Sequence, residues 1–148
     1  MPTRTLRNEF TLPVPARAVF DHVRDPRSYV GLSPLVIAVS DIEPLDGGFR
    51  YRAVERVPIV GRWTYDNPLR ITLFGDGDGP FVVHGGVASN GGVHVDYRYD
   101  IADEGAGCRV IDVVTLRTPF GLTGFAASRA RAVQQGRPAV LARRLVGD

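Results

Sequence analysis

The chain predicts an α+β fold: one antiparallel sheet of seven strands, two short helices after the first strand, and one long helix at the C-terminus. Three observations carry it. Pro119 to Leu145 is the only segment long and Ala/Arg-rich enough for a major helix. Upstream of it, six segments between Leu35 and Arg117 alternate apolar and polar residues and are separated by turn residues rather than helices. A further alternating segment opens the chain, followed at once by two helix starts.

The 148 residues are expected to form one domain over 1–148. A domain of this size buries about 70% of the surface its unfolded chain exposes, enough for one core and a cavity within it. A hydrophobic fraction of 44% and a charged fraction of 23% are those of a globular protein, and no apolar run approaches the length of a membrane span. The N-terminal residues lack an apolar signal core, and the lone Cys108 cannot form an internal disulfide, so a cytoplasmic location is expected. All 18 basic residues are Arg, scattered among acids with a net charge of +2, which excludes the basic stripe that nucleic acid requires.

Taken in order, Arg4 to Leu12 reads as an edge strand ending at Pro13. Pro15 opens a helix whose Ala16, Val19, Phe20 and Val23 share one face. Asp25-Pro26 starts a second, with Asp as cap and Pro in the first turn, and Ser33-Pro34 stops it. Strands are expected over Leu35–Leu45, Gly48–Val57, Gly61–Phe74, Phe81–Ser89, Val93–Ala102 and Arg109–Arg117. Turn residues at 46–48, 58–61, 75–80, 90–92 and 104–107 separate them. In the last helix, Thr118-Pro119 is a capped start. Leu122, Phe125, Ala126, Arg129 and Val133 form the buried face, while Arg131, Gln134 and Gln135 look outward. Pro138 predicts a kink or break near Gly136-Arg137.

The stretches FTLPVPARAVF (Phe10 to Phe20), Asp25-Pro26-Arg27-Ser28-Tyr29, Ser33-Pro34-Leu35-Val36, Asn67 to Ile71 and Gly107 to Val110 together resemble the START-like or SRPBCC superfamily. That superfamily includes polyketide cyclases, birch-pollen-allergen-like proteins and lipid carriers. The resemblance covers essentially the whole chain and departs from the usual pattern at Leu32, where relatives commonly carry Trp, and at Pro138. It implies a helix-grip fold, in which a curved sheet wraps the long helix around a hydrophobic cavity and the two short helices close one end.

Strand alternation nominates the lining independently. Phe49, Tyr51, Ala53, Glu55 and Val57 share a face opposite Arg50, Arg52 and Arg56; Trp63, Tyr65 and Asn67 share another; Val93, Val95, Tyr97, Tyr99 and Ile101 a third. Two acids lie in phase with apolar neighbours, Glu55 and Asp112, and Arg129 is their expected counter-ion. The candidate ligand-binding set is therefore Tyr51, Glu55, Trp63, Tyr65, Tyr97, Tyr99, Asp112, Phe125 and Arg129. A structural salt bridge and aromatic core packing are the alternatives. Small residues at Gly124, Ala126, Ala127, Ala130 and Ala132 leave room between sheet and helix. The resemblance implies that Ile59 and Val60, at a hairpin tip, lie at the cavity mouth with Pro119 to Leu122 on its other side; packing on a neighbour or a subunit contact is the alternative.

Other motifs carry no chemistry. His22, His84 and His94 lie on different elements and do not make a metal site. The Asp76 to Gly79 turn lacks the spacing of a calcium loop, Gly85-Gly86 precedes no helix, and Cys108 has no His partner. The expected function is cofactor-free binding of a small hydrophobic molecule: a lipid, polyketide, isoprenoid or aromatic metabolite. The alternative is a polyketide cyclase, aromatase or dehydratase, with Asp112 or Glu55 as acid or base, Arg129 stabilising an enolate and a tyrosine donating a proton. An interaction protein with a filled core is the third reading. The expected partner is the small ligand, without nucleic acid or stable membrane insertion; a homodimer stays open.

Overall fold

The last strand of the chain returns to pair with the first, which turns seven sequential strands into one continuous antiparallel sheet. The structure, a computed structural model, describes residues 2–33, 35–77, 80–89 and 91–147. The strands are β1 (Thr3–Leu12), β2 (Val36–Leu45), β3 (Gly48–Val60), β4 (Trp63–Asp76), β5 (Phe81–Ser89), β6 (His94–Glu104) and β7 (Gly107–Arg117), in the spatial order β1-β7-β6-β5-β4-β3-β2. Between β1 and β2 lie α1 (Ala16–Val23), a 3-10 turn (Pro26–Ser28) and a single helical turn, α2 (Tyr29–Leu32); α3 (Thr123–Leu145) follows β7. Strand and helix order match the sequence expectation. The expected stop at Pro34 and the turns at 75–80 and 90–92 involve residues 34, 78, 79 and 90, which lie outside the described residues.

The alternation in the strands sorts the two faces as expected. Arg50, Arg52, Arg56 and Arg98 stand on the outer face, where Arg56 pairs with Asp66 at 2.9 Å and Arg98 with Asp100 at 2.9 Å. Pairs this exposed are screened by solvent and salt and add little to stability. Tyr51, Ala53, Tyr99, Ile101 and Val110 are buried on the inner face, where they meet α1 and the C-terminal half of α3. Ala16, Val19, Phe20 and Val23 of α1 are all completely buried, together with Leu32, Leu73 and Leu141.

Two helix expectations are corrected. The second helix is shorter and less regular than Asp25-Pro26 suggests, because Gly31 has φ +88° and Val30 is extended. Asp25 does cap the turn, accepting from the Arg27 N–H at 3.0 Å. The freed carbonyls of Ser28 and Val30 accept from the Arg144 guanidinium at 2.6 and 2.8 Å, so the end of α3 secures this segment. The long helix begins at Thr123 rather than Pro119, because Gly121 at φ +87° takes the chain through a turn first. Thr118 caps nothing; its hydroxyl instead meets that of Thr123 at 2.6 Å.

The predicted break at Gly136-Arg137 does not occur: α3 continues through Pro138 to Leu145. A proline leaves the carbonyl four residues earlier without its helical donor. That carbonyl belongs to Gln134, and it accepts from the Asn8 side-chain amide of β1 at 3.1 Å. The sheet thus supplies the hydrogen bond that Pro138 removes.

Burial along the helix also differs from the expected pattern. Its buried residues are Ala127, Gln134, Arg137, Val140 and Leu141, so the face against β1 and β7 includes Gln134, which was expected outside, and omits Phe125 and Leu122, which are exposed. Gln134 is buried because it works for the backbone: its amide donates to the carbonyls of Asp112 at 2.8 Å and Leu6 at 3.2 Å.

Candidate ligand-binding site

The N-terminal half of α3 spans the inner face of the sheet without filling the space beneath it. A cavity of about 320 Å³ remains, floored by Leu69 of β4, Val87 of β5, Val95 of β6 and Leu116 of β7, and roofed by Ala126, Ala130 and Val133 of α3. The small roof residues leave this space, as the sequence suggested. The exposed large apolar side chains of its lining, Tyr65 of the β3–β4 hairpin and Leu122 and Phe125 at the start of α3, mark its open side.

Among the described residues Glu55 and Arg129 are the only charged side chains in the wall, and they pair with each other: an Arg129 Nη2–H donates to Glu55 Oε1. Both are largely but not fully buried, and the guanidinium also lies 5.4 Å above the Phe125 ring. Asn67, the β4 partner of Glu55, and Ser89 add polar atoms to the wall, and Tyr65 sits opposite Val57 one step further towards the hairpin tip. Arg129 Nε is buried with no hydrogen-bond partner among the described residues. The result is an apolar chamber with one polar corner at its mouth.

The other half of the candidate set lies in a second cluster. Asp112 is completely buried and is held by Arg137, whose Nη1–H donates to Asp112 Oδ2. The expected Arg129–Asp112 pairing is therefore corrected: Arg129 serves Glu55, and Arg137 serves Asp112. Arg137 also lies 5.2 Å over the Tyr99 ring. Burial pushes the Asp112 carboxyl above the usual carboxylate range, with the guanidinium acting against that shift. Burial also raises Tyr29 and Tyr97 well above the ordinary phenol, raises Tyr51 likewise, and pushes Tyr99 up to about 12, so all four remain protonated at neutral pH.

Two of these tyrosines, Tyr29 and Tyr97, act as struts. Tyr29 donates to the Val23 carbonyl at 2.6 Å, and Tyr97 reaches across β5 to donate to the Thr72 carbonyl at 2.7 Å. Gly85 makes that reach feasible, since a Cβ there would strike both the Thr72 carbonyl and the Tyr97 hydroxyl. Tyr51, Tyr97, Tyr99 and Asp112 do not line the 320 Å³ cavity. Trp63, expected inside, does not line it either: it is 73% exposed, beyond the reach of α3, and Ile59 and Val60 beside it are exposed as well.

Periodicity missed Arg137 and Gln134 because an amphipathic reading sends polar residues outward. The available signal was a buried acid, Asp112, needing a cation, and a proline four residues after Gln134. Among the described residues no group of three or more His, Cys, Asp or Glu side chains could hold a metal ion, and no helix is long and apolar enough to cross a membrane.

Solved structures share this fold across nearly the whole chain. A START superfamily protein from Mycobacterium smegmatis superposes with a TM-score of 0.76 at 10% identity, covering 95% of this chain and 96% of that one. Ara h 8.0201 gives 0.75 at 14% identity, covering 99% and 100%. The fold is the START-like helix-grip fold. An aromatase/cyclase, Zhui, from a Streptomyces species shares it as well, with a TM-score of 0.66 at 16% identity over 99% of this chain and 93% of that one. No protein-family model matches the sequence, and no curated protein matches it. On this START-like fold the chain carries a Glu55–Arg129 pair in the cavity wall and a buried Asp112–Arg137 pair beyond it.

Proposed function

We propose that this protein binds a small, largely apolar molecule carrying one polar end, with the body under α3 and the polar end at Glu55 and Arg129. One observation supports this above the others: a chamber of about 320 Å³ with aliphatic walls has a single ion pair, and that pair sits near its open side. The volume falls at the lower end of the range of about 300–1,000 Å³ for small-molecule sites. A volume at that end of the range suits a medium-chain acid, a monoterpenoid or a one- or two-ring aromatic. Structural neighbours named as a START protein and as an aromatase/cyclase are in keeping with a ligand in this place.

Native mass spectrometry with decanoic acid, decanol and 2-naphthoic acid tests the reading. One bound equivalent is expected, with the acids favoured over the alcohol and that preference lost in Arg129→Met. Failure of all three probes, together with no co-purifying organic molecule, would overturn it.

A cyclase reading draws on one carboxylate in the chamber, Glu55, since Asp112 does not line the chamber and is tied to Arg137. On that reading Glu55 would serve as acid or base beside the Tyr65 hydroxyl, with Arg129 stabilising an enolate. Turnover of a poly-β-ketone surrogate that is unchanged in Glu55→Gln would eliminate it.

A further inference from the structure

Apolar side chains gather on the outside of the cavity mouth as well as within it. Ile59, Val60 and Trp63 stand exposed at the tip of the β3–β4 hairpin, and Phe120, Leu122 and Phe125 stand exposed across the mouth from it, Phe120 at 90%. The two groups flank one opening, since Tyr65 at the base of the hairpin tip and Leu122 and Phe125 line the same cavity. Val60 and Trp63 are paired strand residues that close the hairpin, and Gly121 at φ +87° turns Phe120 outward ahead of α3. Exposed apolar side chains gathered on both sides of one opening, rather than scattered singly, point to a contact site.

The charges around the mouth restrict what it contacts. Residues 57–65 contain one charged residue, Arg62 in the turn between Val60 and Trp63, and residues 118–128 contain none. Arg62 makes no ion pair among the described residues, and the nearby Glu55 is already held by Arg129. The surface is therefore aromatic and aliphatic with a cation and no free carboxylate. A second copy of this chain would bring the same surface to a two-fold contact, with no acid in either segment to meet Arg62. An anionic lipid surface supplies that charge at headgroup depth and an apolar layer just below it. Tryptophan and arginine flanking apolar side chains suit that boundary.

We propose that the β3–β4 tip and the 118–125 segment dock reversibly on an anionic bilayer, setting the open side of the cavity against the lipid. Docking depends on the rim alone, so it stands or falls separately from what the cavity holds. The single tryptophan of the chain, Trp63, sits in the docking surface and reports on it directly.

The test uses the full chain with equimolar phosphatidylglycerol/phosphatidylcholine vesicles and with phosphatidylcholine alone, read by Trp63 emission and by flotation. The expected result is a blue shift and co-flotation with the anionic vesicles, weakening as salt is raised. Arg62→Gln should reduce affinity for them about fivefold, the value of one cation near such a surface. The double variant Ile59→Asp with Phe120→Asp, both at exposed positions that the core does not use, should keep its melting temperature and lose flotation. Unchanged Trp63 emission with anionic vesicles would overturn the proposal, as would flotation that survives the double variant. An emission shift that instead follows protein concentration without lipid, accompanied by a dimer mass, would overturn it in favour of self-association.

Discussion

Asp112 and Arg137 illustrate how a buried pair costs more to break than it contributes intact. Both side chains are almost entirely removed from water, and Asp112 Oδ1 and Arg137 Nε have no partner among the described residues. Removing one charge strands the other, which typically costs about 3–5 kcal/mol. Asp112→Asn is therefore expected to lower the unfolding free energy by that amount, read as a fall in the urea midpoint with the m-value unchanged. The double variant Asp112→Leu with Arg137→Met should recover much of the loss, because it leaves no isolated charge. Equal losses in single and double variants would show that the pair is not coupled. A second residue-scale prediction concerns Asn8. Asn8→Ala leaves the Gln134 carbonyl buried without a donor, at an expected cost of about 1–3 kcal/mol. In a Pro138→Ala background the helix supplies its own N–H, so the same substitution should cost much less. The non-additivity of this cycle, read by chemical denaturation, is the measurement.

At the scale of elements, strands were legible and helix faces were not. Each strand predicted from alternation and turn residues is present, because a period of two with one wet face leaves little choice of register. In α3 the same logic failed at Gln134 and Arg137, since hydrogen bonds and charge pairing outweighed hydrophobicity at those positions. The helix start failed for a different reason: Thr118-Pro119 is a good local signal, but the glycine at 121 follows it. Half of the candidate site was legible for the same reason as the strands. Glu55 and Tyr65 were in phase with apolar neighbours, and Arg129 with Phe125 completed the corner from α3. Tyr97 and Tyr99 were correctly placed on the inner face, yet their roles depend on long-range contacts to Thr72 and Arg137 that no local pattern encodes. One element contact also carries a pH dependence. Arg144 of α3 approaches His22 Nε2 of α1 at 3.1 Å, with Ser28 at Nδ1 and Asp25 nearby. Burial first, and then the Arg144 charge, hold the imidazole below its ordinary pKa of 6.5. The folded state thus favours neutral His22. Its contribution is complete above pH 6.5 and is lost as pH falls through the lower folded-state value, because the unfolded chain then binds more protons. Melting temperature should drop from pH 7 to pH 5, and His22→Gln should flatten that part of the profile. Equal slopes in the two proteins would remove His22 as the cause.

Across the whole molecule, packing is uneven along α3. Its C-terminal half rests on α1, α2 and β1 through Val140, Leu141 and the bonds of Gln134 and Arg144, whereas its first turns roof a chamber and carry exposed Phe125. Local opening is least costly where few apolar contacts must be broken. Amides of residues 123–130 should therefore exchange faster than those of residues 134–145, and a bound ligand should slow the first group with little effect on the second. Filling the chamber from within should have the same effect without a ligand. Ala130→Phe adds an aromatic ring to the roof, where burying it supplies about 1.5–3 kcal/mol if no neighbour is displaced. The variant should exchange more slowly in residues 123–130, melt no lower than the parent, and bind decanoic acid at least tenfold more weakly. A variant that binds as well as its parent would place the ligand outside the chamber. One that melts well below its parent would show that the space beneath α3 is already filled. The open half of the molecule is thus expected to be its least stable part and the part that gains order when occupied.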